Sequence, residues 1–207
     1  MVNSNSLNSI FAELNQIFGI NGYALGGSLA LKHPQLYAGL SKDREIHDID
    51  IVVFDNSCYL YGKDNKWKDL FKLYRLDRNC RSGSFYDKYG HKLQCFNIQL
   101  LKTNVSVDVM TFADLNVAEH FKVHSCHYLG TDRFYCNYVQ QASVIMEAKQ
   151  QLLDMSILSF NTDGTPACNY LKHYKDMIDL QNSGLLDIFK NDTGKMDMEI
   201  LPVCLRV

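Results

Sequence analysis

Along residues 7–18 the apolar side chains Leu7, Ile10, Phe11, Leu14 and Phe18 recur at intervals of three and four, the spacing of a helix with one buried face. Gly19 and Gly22 break that period. Tyr23-Ala24-Leu25 then forms a short apolar run that reads as a strand and ends in the turn Gly26-Gly27-Ser28. Ser28 suits a helix N-cap, because its hydroxyl can accept from an early helical amide, and a short helix is expected after it, interrupted near Pro34.

Residues 40–47 are polar, whereas Ile49, Ile51, Val52, Val53 and Phe54 are β-branched or aromatic, so a loop is expected to enter a strand at His47-Asp48. The period of two sends Asp48 and Asp50 to one face and Ile49, Ile51 and Val53 to the other. Trp67, Leu70, Phe71, Tyr74 and Leu76 predict a helix over 65–77, followed by an exposed Arg/Ser/Gly-rich loop. Lys92 to Leu101 and Val105 to Phe112 read as two strands, joined antiparallel through Lys102-Thr103-Asn104. Extended structure is expected over 121–139, and helices over 140–155 and 167–181, with a turn at 161–166. The resulting class is α+β: a mixed-sheet core over 1–139, with a helical C-terminal unit over 140–207 packed on it.

Bulk properties narrow the picture. A chain of 207 residues that is 46% hydrophobic supports one substantial core and a small extension. The net charge of −2 gives no broad footprint for a polyanion, so a nucleic-acid partner would need a local patch. The basic residues Lys63, Lys66, Lys68, Lys72, Arg75, Arg78 and Arg81 are interleaved with acidic ones and read as a solvated helix face. Neither a signal peptide nor a membrane span is visible, and a cytoplasmic location is expected. Seven cysteines without a close CxxC pair argue for reduced thiols rather than a disulfide framework.

Three features then carry chemistry in a fixed order: the Gly26-Gly27-Ser28 turn, the strand with Asp48 and Asp50, and a later strand with an isolated Asp108. Glycines let a backbone approach a phosphate, and amides at a helix start donate to it. Two aspartates on one strand face, joined by a third from a neighbouring strand, form an oxygen-only set suited to Mg2+ or Mn2+. Asp108 sits between Val107 and Val109, where a carboxylate is costly unless a cation or water satisfies it. The plain readings are a ligand-free turn, a solvated strand end and a surface-facing Asp108.

This order resembles the polymerase-beta nucleotidyltransferase superfamily over residues 22–112. The resemblance implies that Gly27 and Ser28 take a nucleoside triphosphate, that Asp48 and Asp50 bind both metal ions, and that Asp108 completes the catalytic metal site. It implies transfer of a nucleoside monophosphate to a hydroxyl of RNA, tRNA, protein or a small molecule. The C-terminal half looks like the abortive-infection toxin type of this enzyme, which implies an antitoxin partner. On that likeness Lys149, Lys172 and Lys175 bind triphosphate oxygens, and Asp176 orients one of them or a substrate hydroxyl. The nineteen residues between Ser28 and Asp48 exceed the family's usual gap, as an insertion around Leu36 to Arg44 would explain. A noncatalytic nucleotide-binding regulator with the same fold is the alternative from another class.

His120, His124, Cys126 and His127 raise a zinc reading. In an extended strand His124 and Cys126 would share a face while His127 points away, and no second pair follows. His47, next to Asp48, reads as a loop histidine or as a base beside the carboxylate.

Overall fold

The first helix, α1 (Ser4–Phe18), forms where the three-four spacing places it, and Leu7, Ile10, Phe11, Leu14 and Ile17 make its buried stripe. Each such side chain contributes about 1.5–3 kcal/mol when fully removed from water. Ile17 rather than Phe18 closes the stripe. Phe18 is half-buried and meets Tyr23 edge-on at 6.2 Å between ring centroids. Gly19, at φ 78°, ends the helix in the left-handed conformation while its amide donates to the Asn15 carbonyl.

This computed structural model describes residues 4–55, 83–86, 92–130, 134–157 and 170–185. The helix expected at 65–77, the basic residues 63–81 and the turn at 161–166 lie outside them. Contacts divide the chain into a first unit, residues 1–30 and 45–141, and a second unit, residues 31–44 and 142–207.

The first unit is built on a mixed sheet of seven strands among the described residues: β1 (Tyr23–Leu25), β2 (Asp48–Val53), β3 (Gly83–Tyr86), β4 (Lys92–Gln99), β5 (Ser106–Phe112), β6 (Cys126–Tyr128) and β7 (Tyr138–Gln140). Their spatial order is β3-β4-β5-β2-β1-β7-β6. β2 runs parallel to β5, and β1 parallel to β7; the other neighbours are antiparallel. The β4–β5 pair is the expected hairpin, its turn carrying Asn104 at φ 53°. β3 occupies part of the segment read as loop, where Gly83 to Tyr86 pair with Cys95 to Lys92. A run of Ser-Phe-Tyr has the composition for a strand once β4 offers it an edge.

Residues 121–125 are helical, not extended. They end α3 (Leu115–Ser125), which starts because the Asp114 carboxylate accepts from the amides of Asn116 at 2.7 Å and Val117 at 3.3 Å. Ala118, with Val117 and Phe121 at helical spacing, packs on Ala24, Val52, Phe54, Phe112 and Cys126. That cap and that stripe outweigh the strand preference of Phe121 and Val123.

On the opposite face of the sheet, Tyr23, Leu25, Ile49, Ile51, Val53, Val107 and Val109 are buried. α1 lies on this side: the Tyr23 hydroxyl donates to Asn15 Oδ1 at 2.9 Å. Glu13, only 1% exposed, accepts from the Leu101 amide at 2.9 Å and the Lys102 amide at 3.2 Å, tying α1 to the β4–β5 turn. No helix among the described residues is long and apolar enough to cross a membrane.

The second unit holds α4 (Ala142–Ile157), α5 (Tyr170–Asn182) and the segment 31–44. Ile145, Met146, Leu153, Met177 and Leu180 are buried. The helix α2 (Gly27–Lys32) passes from the first unit into the second.

Candidate active site

Strand pairing lines up side chains that are far apart in sequence. Asn97 on β4 is opposite Asp108 on β5, and Asp108 is opposite Asp50 on β2. The β1–β2 register continues one residue past Leu25↔Ile51, where the Gly26 amide donates to the Asp50 carbonyl at 2.8 Å. The β1–β7 register, continued past Leu25↔Val139, sets Gly26 against Gln140. A single transverse row results: Asn97, Asp108, Asp50, Gly26, Gln140. The period of two puts the row on the same face as the apolar row Cys95, Met110, Val52, Ala24, Tyr138, over which α3 packs. One end of this face is therefore apolar and covered, whereas the other carries half-buried carboxylates.

Asp48 lies two residues along β2 on the same face, opposite Ser106. The alternation expected for β2 is seen in burial: Asp48 and Asp50 are half-buried, and Ile49 and Ile51 are buried.

The glycine turn is fixed by its neighbours. Gly27 has φ 59°, a conformation that costs other residues about 1–2 kcal/mol, and an added β-carbon would lie 1.7 Å from Asp50 Oδ2. An added β-carbon on Gly26 would lie 2.0 Å from Gln140 Oε1. Ser28 is not the N-cap. α2 begins at Gly27, the Ala30 amide donates to the Gly26 carbonyl at 3.3 Å, and Ser28 sits buried inside the first turn. At six residues α2 supplies little helix dipole, so any anion here would depend on the turn's own amides.

The Asp108 carboxylate accepts at Oδ1 from Asn97 Nδ2 at 2.6 Å, and the same nitrogen donates to Ser106 Oγ at 2.6 Å. Asp50 and Asp108 are thus neighbours: the Asp50 carboxylate lies close to the Gly27 backbone, and the Asp108 carboxylate is bonded to Asn97 on the other side. The donor chemistry and the register fit a hard divalent cation. Among the described residues, however, no three His, Cys, Asp or Glu groups already converge on one point.

That observation also bears on the zinc reading. His120 and His124 lie against each other on α3, one helical turn apart, with ring centroids 4.3 Å apart and planes tilted by 42°, and Cys126 is buried in β6 with its thiol pushed up to about 12 by burial. His124 does not share a strand face with Cys126, because the segment up to Ser125 is helical and only Cys126 and His127 lie in β6. His47 is largely exposed, 3.4 Å from Glu45.

The remaining predicted residues belong to the second unit. Asp176 is fully buried; its Oδ1 accepts from Arg44 Nε at 2.6 Å, and its Oδ2 from Lys149 Nζ at 2.7 Å and Arg44 Nη2 at 3.3 Å. Burial alone would raise the Asp176 pKa; the hydrogen bonds and charges of Arg44 and Lys149 outweigh it and hold the carboxyl below its usual range. Lys149 is itself buried, Lys172 is half-buried and Lys175 is exposed. His173 is held below the ordinary histidine value by burial first, then by Lys149 and Lys172, with Asp176 opposing. Its Nδ1 has no hydrogen-bond partner among the described residues.

The stretch Leu36 to Arg44, read as an insertion, is built into this unit. Ser41 donates its amide to Asp179 Oδ2 at 3.1 Å, and an added β-carbon on Gly39 would press on Leu180 and Leu185. Sequence reasoning missed Asn97, Gln140 and the ionic role of Arg44. The first two become visible only once the strand order is known; Arg44 lay within the suspected insertion, with no periodicity to mark it.

No protein-family model matches the sequence, and no curated protein matches it either. Among solved structures, one Helicobacter pylori protein, provisionally assigned as a nucleotidyltransferase, is 15% identical, with 93% of this chain and 86% of that chain covered and a TM-score of 0.36. The JHP933 protein of H. pylori is 14% identical, with 93% and 84% covered and a TM-score of 0.33. Likeness at this level assigns neither family nor activity.

Proposed function

We propose that the chain is a metal-dependent nucleotidyltransferase, moving a nucleoside monophosphate from a nucleoside triphosphate to a hydroxyl. The observation that carries this reading is the transverse row, in which Asp50 stands between Asp108 and the Gly26-Gly27 turn on one sheet face. Phosphoryl transfer needs a backbone that can approach phosphate oxygens beside carboxylates that can hold a cation, and the row puts both within neighbouring strands. Gly26 and Gly27 carry no side chain to obstruct that approach, and the Ser28 hydroxyl offers a further donor.

Asp48, Asp50 and Asp108 would hold Mg2+ or Mn2+. When bound, such ions lower the pKa of an attacking hydroxyl and neutralise charge on the triphosphate. RNA or a protein is the acceptor that the sequence resemblance favours. A second reading, a noncatalytic nucleotide-binding protein, is favoured by the absence of three converging carboxylates among the described residues.

Nucleotide incorporation separates the two. Wild-type protein and the Asp48→Asn/Asp50→Asn double variant are incubated with each labelled triphosphate, Mg2+ or Mn2+, and total RNA or protein. Transfer that disappears in the variant supports the transferase and names the nucleotide. Triphosphate binding without transfer to any acceptor supports the second reading.

A further inference from the structure

We propose that Asn97 is a positioning residue for Asp108 and sets how tightly the aspartate face binds a divalent cation. The inference rests on the reading that Asp48, Asp50 and Asp108 bind such a cation. Asn97 faces Asp108 directly across the β4–β5 ladder. Its Nδ2 serves two acceptors, Asp108 Oδ1 and Ser106 Oγ, each at 2.6 Å.

The terminal torsion of an aspartate is soft, so its carboxylate plane is set by what it bonds to. Asp108 has a like-charged neighbour, Asp50, on its other side, and the two carboxylates repel. The Asn97 amide fixes where Oδ1 lies. Hydrogen bonds to a ligating carboxylate commonly change metal affinity by roughly 10–100-fold. Asn97 itself contributes no negative charge and is outside the set of ligands.

The test is Mn2+ binding, followed by the electron paramagnetic resonance signal of free Mn2+, on the full-length chain without nucleotide. Four variants are compared with wild type: Asp108→Asn, Asn97→Leu, Asn97→Ser and Ser106→Ala. Asn97→Leu keeps the branched outline and loses the donor; Asn97→Ser is small enough to be accommodated should the larger leucine disturb folding. Ser106→Ala leaves the Asn97–Asp108 bond in place while perturbing the same patch.

The expected result is loss of the Asp108-dependent site in Asp108→Asn, affinity weakened about tenfold in both Asn97 variants, and Ser106→Ala within about twofold of wild type. Unchanged or tighter binding in a folded Asn97 variant, with Asp108→Asn still defective, overturns the role of Asn97 and leaves the cation reading standing. Wild-type protein with no Asp108-dependent Mn2+ binding overturns both.

Discussion

The backbone of Gly27 lies against the carboxylate of Asp50, so closely that a β-carbon there would sit 1.7 Å from Oδ2. Two separate physical demands therefore fall on one residue. Its φ of 59° is strained for any L side chain, and the space a side chain needs is already filled.

Gly27→Ala is accordingly expected to destabilise the protein by more than the backbone penalty of about 1–2 kcal/mol. Urea unfolding followed by circular dichroism measures the loss. Shortening Asp50 to alanine in the same chain should recover only part of it, since the φ requirement remains and the Asp50 β-carbon that alanine keeps would itself lie 2.7 Å from the new one. Full recovery would show that the backbone carries no strain.

A different prediction concerns the ion cluster of the second unit. Removing the Asp176 carboxylate leaves Arg44 and Lys149 buried side by side, and Asp176→Ala should cost about 3–5 kcal/mol in denaturant unfolding. Lys149→Met leaves the Arg44–Asp176 pair intact and should cost markedly less. Equal losses in the two variants would contradict the view that uncompensated charge is the penalty.

What could be seen in the sequence was what depends on neighbours along the chain. The stripe of α1, the alternation of β2 and the β4–β5 hairpin all follow from spacings within one element, and the structure has them. The segment ending at Ser125 failed for a related reason: Phe121 and Val123 favour a strand, but the capping carboxylate of Asp114 lies outside the window in which that preference was judged. Asn97 and Gln140 were beyond reach altogether, because their relation to Asp108 and Gly26 is created by the order β4-β5-β2-β1-β7. Lys149 and Asp176 stand out in the sequence only through the resemblance of the C-terminal half, and their bond to each other, with Arg44 as third member, is visible only in the geometry.

The pH dependence of stability follows from two groups. His173 has a folded-state pKa below its unfolded value of 6.5, so the unfolded chain takes up the proton first as pH falls. Its contribution is complete above pH 6.5 and is lost on acidification toward the lower folded value. Asp176, also depressed, contributes stability above its unfolded value of 3.8 and loses it as pH falls through its folded pKa. Unfolding free energy should therefore decline in two successive acid windows. In His173→Leu the first decline, beginning at about pH 6.5, should flatten while the second persists. An unaltered profile would rule out His173 as the source.

Gly26 poses a problem opposite in kind to that of Gly27. It is not among the positive-φ residues, so its obstacle to a side chain is purely the Gln140 carboxamide, whose Oε1 would be 2.0 Å from an added β-carbon. Gln140 is a flexible side chain on a neighbouring strand, and shortening it opens the space. Gly26→Ala alone should be destabilising, Gln140→Ala should cost a smaller amount through lost packing, and the double variant should be more stable than the sum of the two. The favourable coupling is expected at about 1 kcal/mol, within the range for residues in direct contact. Additive losses in a double-mutant cycle by urea unfolding would mean that Gln140 yields without resistance. In that case close packing at Gly26 could not be what keeps this position free of a side chain, and backbone approach to a ligand would be left as the reason for the glycine.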